Sequence, residues 1–183
     1  MKRMALALVF ALILTGCGAN DHQMEEALVL RGSCLGASQC SFLAKITLDY
    51  RENVEEFTLD CTADPEGNVT FVVVEPEEIS GISGTITEKQ VAFDGVVLGF
   101  ELLAQDRLSP VSAPWVLMKC LRSGYITSTC REDELLRITV DDSYADDALT
   151  MEIWICGGQV VAGEISWQGR RLVSMEIENF VLL

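Results

Sequence analysis

Apolar and polar residues alternate along most of the chain, which is the pattern of β-strands that bury one face and expose the other. In the first half of the chain this alternation predicts six strands in succession, at residues 42–50, 56–61, 69–73, 82–87, 91–93 and 96–102. The last two strands flank Asp94-Gly95, a pair that is typical of a two-residue hairpin turn. Because short turns join antiparallel neighbours, we expect these strands to form a meander.

Two segments break the alternation and predict helices. Residues 21–37 have apolar side chains at helical spacing. One face of that helix carries Met24, Ala27, Leu28, Arg31 and Leu35. Residues 110–123 follow Ser109, a preferred N-cap residue, and end before Gly124, a preferred helix stop. Since apolar side chains cover nearly the whole circumference of this second helix, we expect it to be buried on most sides.

Alternation resumes after the second helix and predicts five more strands, at residues 125–130, 135–141, 149–156, 159–168 and 171–182. No low-complexity linker divides these segments from the earlier ones. The sequence therefore predicts one α+β domain. It consists of a curved antiparallel sheet of about eleven strands that forms an incomplete barrel, an N-terminal helix and one inserted, lid-like helix.

The first residues of the chain carry a targeting signal. Lys2 and Arg3 precede an apolar run at residues 4–14 that is too short to span a bilayer. The run ends in the sequence "LTGC", residues 14–17, which resembles a bacterial lipobox. An ordinary signal peptide that is cut elsewhere, with a free thiol at the cysteine, is the alternative.

The lipobox resemblance implies how the chain is divided and where it works. Residues 1–16 form a lipoprotein signal peptide, and Cys17 carries acyl chains such as palmitate. Residues 17–22 then form the lipidated end and a short tether, and residues 23–183 form the domain. Two or more acyl chains on one residue suffice for stable anchoring. We therefore expect a protein that is lipid-anchored at the extracytoplasmic face of the cell membrane.

Charge and composition exclude several classes of partner. The formal net charge is −15, and it becomes −17 when Lys2 and Arg3 are removed with the signal peptide. Such a charge repels phosphates, so nucleic acids and anionic membrane surfaces are disfavoured as partners. The hydrophobic content of 49 % argues against disorder.

Seven cysteines are present, and six of them follow the lipobox: Cys34, Cys40, Cys61, Cys120, Cys130 and Cys156. An even number of cysteines outside the cytoplasm permits disulfides, but the spacing does not decide among the pairings. No two of them have the spacing of a redox or zinc motif. Structural bridges and buried thiols both stay open.

The chain has little of the chemistry that enzymes commonly use. His22 is the only histidine and lies in the predicted tether, which removes Ser-His, Cys-His and His-metal arrangements from the domain. Residues 141–150 contain four aspartates but lack the spacing of a calcium loop, so a solvated loop is favoured. We expect a protein that is not an enzyme and has no cofactor and no metal site.

Four stretches resemble known proteins: "FVVVEPEEISGISGTI", "FDGVVLGFELL", "LSPVSAPWVLMKCLRSGYIT" and "GEISWQGRRLVSMEIENF". They are similar to uncharacterised envelope lipoproteins of Firmicutes. The order of a helix, six strands, an apolar helix and five strands behind a lipobox resembles the lipoprotein-carrier fold of the LolA and LolB type. Mycobacterial lipid-transport lipoproteins and a clostridial spore-germination lipoprotein share that fold. The resemblance covers residues 21–183.

The resemblance implies a ligand cavity. In the carrier fold an incomplete barrel presents an apolar concave face, and helices close it as a lid. Residues 110–123 would be that lid, with Trp115 and Met118 facing the cavity. The residues expected to line the cavity or the lid are Val111, Trp115, Met118, Phe93, Leu98, Phe100 and Phe71. The same residue types also fill an ordinary core, so a cavity and a filled core stay alternatives.

Two functions follow from these alternatives. The first is an anchored envelope lipoprotein that binds a lipid, an acyl chain or another hydrophobic ligand in the half-barrel. The second is a structural or interaction lipoprotein with a filled core, which docks another envelope protein through its acidic surface or a sheet edge. Carriers of this type are soluble and shuttle between membranes, whereas this chain is predicted to be anchored, so shuttling is not expected.

Overall fold

The computed structural model describes residues 18–49, 53–88, 90–93, 96–99, 103–104 and 107–183. The helices are α1 (Gly18–Gly36) and α2 (Ser112–Ser123), and a short 3-10 helix spans Glu77–Ile79. The strands are β1 (Cys40–Asp49), β2 (Val54–Ala63), β3 (Val69–Glu75), β4 (Ser83–Ile86), β5 (Gln90–Phe93), β6 (Val96–Gly99), β7 (Leu103–Ala104), β8 (Arg107–Leu108), β9 (Tyr125–Glu132), β10 (Leu135–Asp141), β11 (Leu149–Cys156), β12 (Gln159–Trp167) and β13 (Arg170–Leu182). The predicted signal peptide, Cys17, the Asp94-Gly95 turn and Phe100 lie outside the described residues.

Eleven of the strands form one antiparallel sheet in the order β6-β5-β4-β3-β2-β1-β13-β12-β11-β10-β9. The sheet is curved and does not close, which confirms the predicted α+β class and the incomplete barrel. β1 and β13 lie side by side in its middle, with Ile46 opposite Met175. Two meanders therefore extend from a central pair, and β6 and β9 form the outer edges.

One face of the sheet is apolar and the other is polar. Along β1, Phe42, Ile46 and Leu48 are buried, whereas Lys45 and Asp49 on the opposite face are exposed. The same alternation recurs in β3, β10 and β11. We call the surface that carries Phe42 and Ile46 the inner face, and the surface that carries Lys45 the outer face. Sequence alternation predicted this division.

α2 occupies the hollow of the inner face. Nine of its twelve residues are buried, and Val116, Leu117 and Met118 are 0 % exposed. This burial confirms the prediction that the helix is covered on most sides. Removing such side chains from water contributes about 1.5–3 kcal/mol for each large aliphatic residue.

α1 packs against α2 and β9 with a face that matches the predicted one only in part. Ala27, Leu30 and Cys34 are buried, whereas Leu28 and Leu35 are 50 % and 52 % exposed. The small Ala27 and Cys34 side chains allow the helix to approach its neighbours closely. The helix also begins at Gly18, so the described part of the predicted tether is helical.

Two arginines join the helices. Arg31 of α1 donates three hydrogen bonds to carbonyl oxygens at the end of α2. The acceptors are Leu121 (2.9 Å), Cys120 (3.2 Å) and Gly124 (2.7 Å). In return, Arg122 of α2 donates to the carbonyl oxygens of Cys34, at 3.1 Å, and of Pro65. Because the last carbonyls of a helix lack partners within it and carry partial negative charge, a guanidinium satisfies and stabilises them.

A small hairpin of β7 and β8 precedes α2, with Leu103 opposite Leu108. The sequence pattern does not predict this hairpin, because strands of two residues are too short to show a period. Within the described residues it is the one paired element that lies outside the large sheet.

Gly124→Ala should destabilise the protein, because a Cβ there would overlap Cγ1 of Val140 and lie 2.9 Å from the Cys120 oxygen. Overpacking of this kind lowers the free energy of unfolding by about 1–3 kcal/mol. Gly32→Ala on α1 is the matched control, since nothing lies within 4 Å of its Cβ position. It should be neutral or stabilise by up to about 1 kcal/mol. Urea unfolding compares the two, and equal stabilities would contradict the packing at Gly124.

Candidate functional site

Five of the residues predicted to contact a ligand belong to one packed core. Phe71, Trp115 and Met118 are buried, at 1 %, 6 % and 0 % exposure. Phe93 and Val111 are half-buried and pack against that core. The rings of Phe71 and Phe93 meet edge to face, with centroids 5.8 Å apart. The structure thus places these five residues in or against the same core.

The other two predicted contacts do not join this group. Leu98 on β6 lies opposite Val91 on β5 and so shares the inner face. Val91 is 4 % exposed, however, whereas Leu98 is 51 % exposed. The inner face is therefore exposed to solvent at the β6 edge of the sheet. Phe100 lies outside the described residues.

Glycines on the inner face show how tightly it is packed. A Cβ on Gly84 would lie 2.9 Å from Cζ of Phe71. A Cβ on Gly163 would lie 2.9 Å from Cε of Met151 and 3.3 Å from Cε of Met175. Neither position has room for one more methyl group, so the sheet is filled there by its own side chains.

Open space of about 1200 Å³ lies instead on the outer face. Its floor follows a row of residues that lie opposite one another on neighbouring strands from β3 to β11. The row is Glu75, Thr58, Lys45, Glu176, Ala162 and Trp154. Since neighbouring strands are about 4.8 Å apart, the row is about 24 Å long along the sheet. We call this cleft the outer groove.

Side-chain size shapes the outer groove. Ala162 and Ser174 line its middle and are small. Trp154 is bulkier and half-buried at one end, and Val74 is 42 % exposed at the other. Small residues between two larger ones produce a depression with apolar surface at both ends.

The cations on the outer face are engaged by carboxylates. Lys45 Nζ donates to Glu178 Oε1 at 2.6 Å, and Arg171 pairs with Glu164 at 2.9 Å. The hydrogen bond to Glu178, with the charge of that carboxylate and those of Glu176 and Glu75, raises the pKa of Lys45. Lys45 therefore stays protonated, and its charge is balanced locally.

Several carboxylates in the outer groove lack such balance. Glu75 accepts a hydrogen bond from Thr58 Oγ1 at 2.8 Å. Among the described residues, however, no hydrogen bond or ion pair engages the carboxylates of Glu56, Glu77 and Glu176, which are all exposed. The outer groove therefore combines apolar surface at its two ends with excess negative charge.

A second cleft, of about 770 Å³, lies beside α2. Lys119, in its wall, pairs with Asp142 at 2.8 Å and lies 5.5 Å from the centre of the Trp115 ring. Arg122, also in its wall, is committed to the end of α1. Both cations thus serve the packing of α2. The Asp142 carboxylate also accepts a hydrogen bond from the Leu149 amide at 2.8 Å, so this predicted loop is tied to α2 and β11.

The six cysteines at positions 34 to 156 are free thiols. Burial raises the pKa of Cys34 to about 11 and those of Cys40 and Cys120 to about 12. It also raises the pKa of Cys61. Thiols with raised pKa values are poor nucleophiles at neutral pH, because the thiolate is the reactive form. These four side chains therefore act as small apolar core residues.

Trp154, Ala162 and Glu176 are not among the site residues that the sequence predicts. One signal was present: Trp154 stands between Ile153 and Ile155, which are both buried on the inner face. A tryptophan at the position where alternation expects a polar residue marks an apolar spot on the solvated face. The pairing that gathers these strands into one row was not visible in the sequence.

Neither a metal site nor a membrane span is found in the described ranges. No group of three or more His, Cys, Asp or Glu side chains there is arranged to hold a metal ion. Neither α1 nor α2 has the length and apolar character that crossing a bilayer requires.

No protein-family model and no curated protein matches the chain. Solved structures do resemble it. A LolA superfamily protein from Nitrosomonas europaea has a TM-score of 0.48 at 7 % identity, over 86 % of this chain and 93 % of that one. The lipoprotein LppX of Mycobacterium tuberculosis has a TM-score of 0.40 at 12 % identity, over 87 % and 93 %. An uncharacterised conserved protein from Thermus thermophilus has a TM-score of 0.44 at 17 % identity, over 87 % of both chains.

These structures include the type of protein that the sequence resemblance named, whereas none of the three is from Firmicutes. Their TM-scores of 0.40 to 0.48 are too low to place the chain in a family. The functional site therefore has to be argued from the residues of this chain.

The buried thiols should resist alkylation in the folded protein. Iodoacetamide at about pH 8 should label Cys130, which is exposed, much faster than Cys34, Cys40 or Cys120. Unfolding in urea should make all of them reactive, and intact mass counts the labels. Failure of these thiols to react after unfolding without reductant would show disulfides and contradict the free thiols.

The same pKa values set a pH dependence of stability. In the folded chain the pKa values of Cys34 and Cys120 lie near 11 and 12, above the ordinary 9.0. The unfolded chain therefore loses these protons first as pH rises, so the stabilisation is complete below about pH 9 and declines towards pH 11–12. The urea midpoint should fall across that range.

Proposed function

We propose that the protein is a non-enzymatic lipoprotein of the bacterial envelope that docks another envelope protein. The observation that supports this function best is that the open cleft lies on the outer face of the sheet, whereas the inner face is filled. The inner face, where an acyl chain would lie, is filled by α2 and by side chains such as Phe71 and Met118. The outer groove, in contrast, is open to a partner. This favours the filled-core function over the cavity function.

Anchoring through Cys17 is part of the proposal and rests on the lipobox resemblance. α1 begins at Gly18, the residue after the proposed anchor. A helix rises about 1.5 Å per residue, whereas an extended chain spans about 3.5 Å, so a helical connection holds the domain closer to the lipid. The domain would then stand at the extracytoplasmic face of the membrane.

The absence of catalysis is also part of the proposal. The side chain of His22 is 80 % exposed and stands near the start of α1, away from the core. The buried thiols have raised pKa values, which makes them unreactive. Neither group is placed to activate a nucleophile.

Acyl-chain binding is the second candidate function. It is favoured by the β6 edge, where Leu98 presents an exposed apolar side chain on the inner face. A chain that entered there would have to displace side chains of α2, because Met118 and its neighbours already occupy the hollow. Such a protein would bind lipid only after α2 moved.

The Cys17→Ser variant should lose the lipid anchor. We expect the wild-type chain in the membrane fraction with a mass that includes acyl groups. The variant should lack these groups and leave the membrane fraction. Cys130→Ser is the matched control, since it changes an exposed thiol that is not part of the lipobox sequence and should keep the anchor. Acyl mass on the Cys17→Ser variant would contradict anchoring at this residue.

Native mass spectrometry of the full chain tests the filled core. After mild detergent extraction, the protein should carry its covalent acyl groups and no further lipid. A stoichiometric, non-covalent lipid would overturn the filled-core function and favour acyl-chain binding. Leu98→Glu then discriminates, because a charge at the β6 edge should reduce uptake if lipid enters there.

A further inference from the structure

The outer groove is long and spans the middle of the sheet. It runs from Glu75 on β3, across Lys45 on β1, to Trp154 on β11. A path of about 24 Å accommodates about seven residues of extended polypeptide, at about 3.3 Å per residue. A small ion would leave most of this length empty.

The charge in the outer groove favours a cationic occupant. Three carboxylates, those of Glu56, Glu77 and Glu176, have no ion-pair partner among the described residues, and all three line the groove. The lining cation, Lys45, is already paired with Glu178. A chain of net charge −15 reinforces attraction over longer distances. An anionic lipid surface or an acidic peptide would be repelled.

The apolar surface in the outer groove favours an occupant that is also partly apolar. Trp154 presents an indole ring and Val74 an aliphatic side chain at opposite ends of the floor. An indole face attracts lysine and arginine side chains and also buries aliphatic groups. Alternating side chains of an extended segment can meet both kinds of surface, because one set faces the floor and the next reaches carboxylates beside it, such as those of Glu56 and Glu77.

We propose that the outer groove binds an extended segment of a partner protein in which basic and apolar residues alternate. This inference rests on the proposed docking function and names the chemistry of the partner. Basic side chains of the segment pair with Glu56, Glu77 and Glu176, and its apolar side chains cover Trp154 and the small residues of the floor. Electrostatic attraction makes the binding sensitive to salt.

A peptide of about ten alternating lysine and valine residues is the probe, titrated by fluorescence anisotropy against the full, detergent-solubilised chain. We expect saturable binding that weakens as salt is raised, and no binding of the matching glutamate–valine peptide. Equal binding of both peptides would overturn the proposal. Spermidine tests the alternative that the groove binds any small cation. If spermidine displaced all of the lysine–valine peptide at the same concentration of positive charge, the proposal would also be overturned.

Variants locate the binding. Glu56→Gln, Glu77→Gln and Glu176→Gln together should weaken it by about tenfold or more, and Trp154→Ala by about fivefold or more. The matched control removes the same charge elsewhere, with Glu25→Gln, Glu66→Gln and Glu88→Gln. These three residues lie outside the outer groove. An equal loss in both triple variants would show that only net charge matters and would overturn the site.

A failure of the proposed partner chemistry can be distinguished from a failure of the proposed docking function. If the lysine–valine peptide fails to bind while the purified chain is free of non-covalent lipid, the partner chemistry is wrong and docking stands. If non-covalent lipid is found, the docking function itself falls. Circular dichroism of each variant confirms that a loss of binding is not a loss of fold.

Discussion

The apolar inner face has to be kept from water, and the rest of the structure depends on how α2 does this. The sheet of eleven strands ends at β6 and β9 without closing, so its own curvature does not cover the apolar surface. α2 enters the hollow with Val116, Leu117 and Met118 fully buried. Its position makes the sheet, the two helices and the β7–β8 hairpin parts of one core, and it leaves the outer face as the surface available to partners.

α2 is held in that position by hydrogen bonds as well as by apolar contact. Arg31 reaches the carbonyl end of α2, and Arg122 reaches the carbonyl end of α1. Each guanidinium satisfies groups that the helix itself leaves without partners. Lys119 adds a pair with Asp142 beside β10. These contacts fix α2 relative to both α1 and the sheet. A ligand that bound beneath α2 would have to break them.

Local sequence pattern predicted much of this fold, because the alternation of a strand and the end residues of a helix can be recognised within a few consecutive residues. The eleven strands of the sheet, the burial of α2 and its end at Gly124 all follow from such signals. The burial of Leu30 and Cys34 on α1 did not, since α2, about ninety residues later in the chain, decides which face of α1 is covered. The outer groove was also hidden. Glu75, Lys45 and Trp154 meet through strand pairing that no local period encodes.

The same holds for the predicted ligand contacts. Phe71, Trp115 and Met118 were recognised as inward-facing, but residue type does not distinguish a lined cavity from a filled core. The distinction depends on how closely opposite side chains approach, as at Gly84 beside Phe71. Only the three-dimensional packing contains that information.

The central position of β1 beside β13 has a consequence for biogenesis. The amide of Ser38 donates to the Leu183 oxygen at 2.6 Å, and the amide of Leu183 donates to the Gln39 oxygen at 2.9 Å. β1 thus lacks one of its two neighbours until the segment 170–182 has been synthesised and delivered. In a chain that is threaded through a translocation channel in an extended state, the sheet would close only once nearly the whole domain had crossed. In such a chain, late closure would keep translocation and folding from competing.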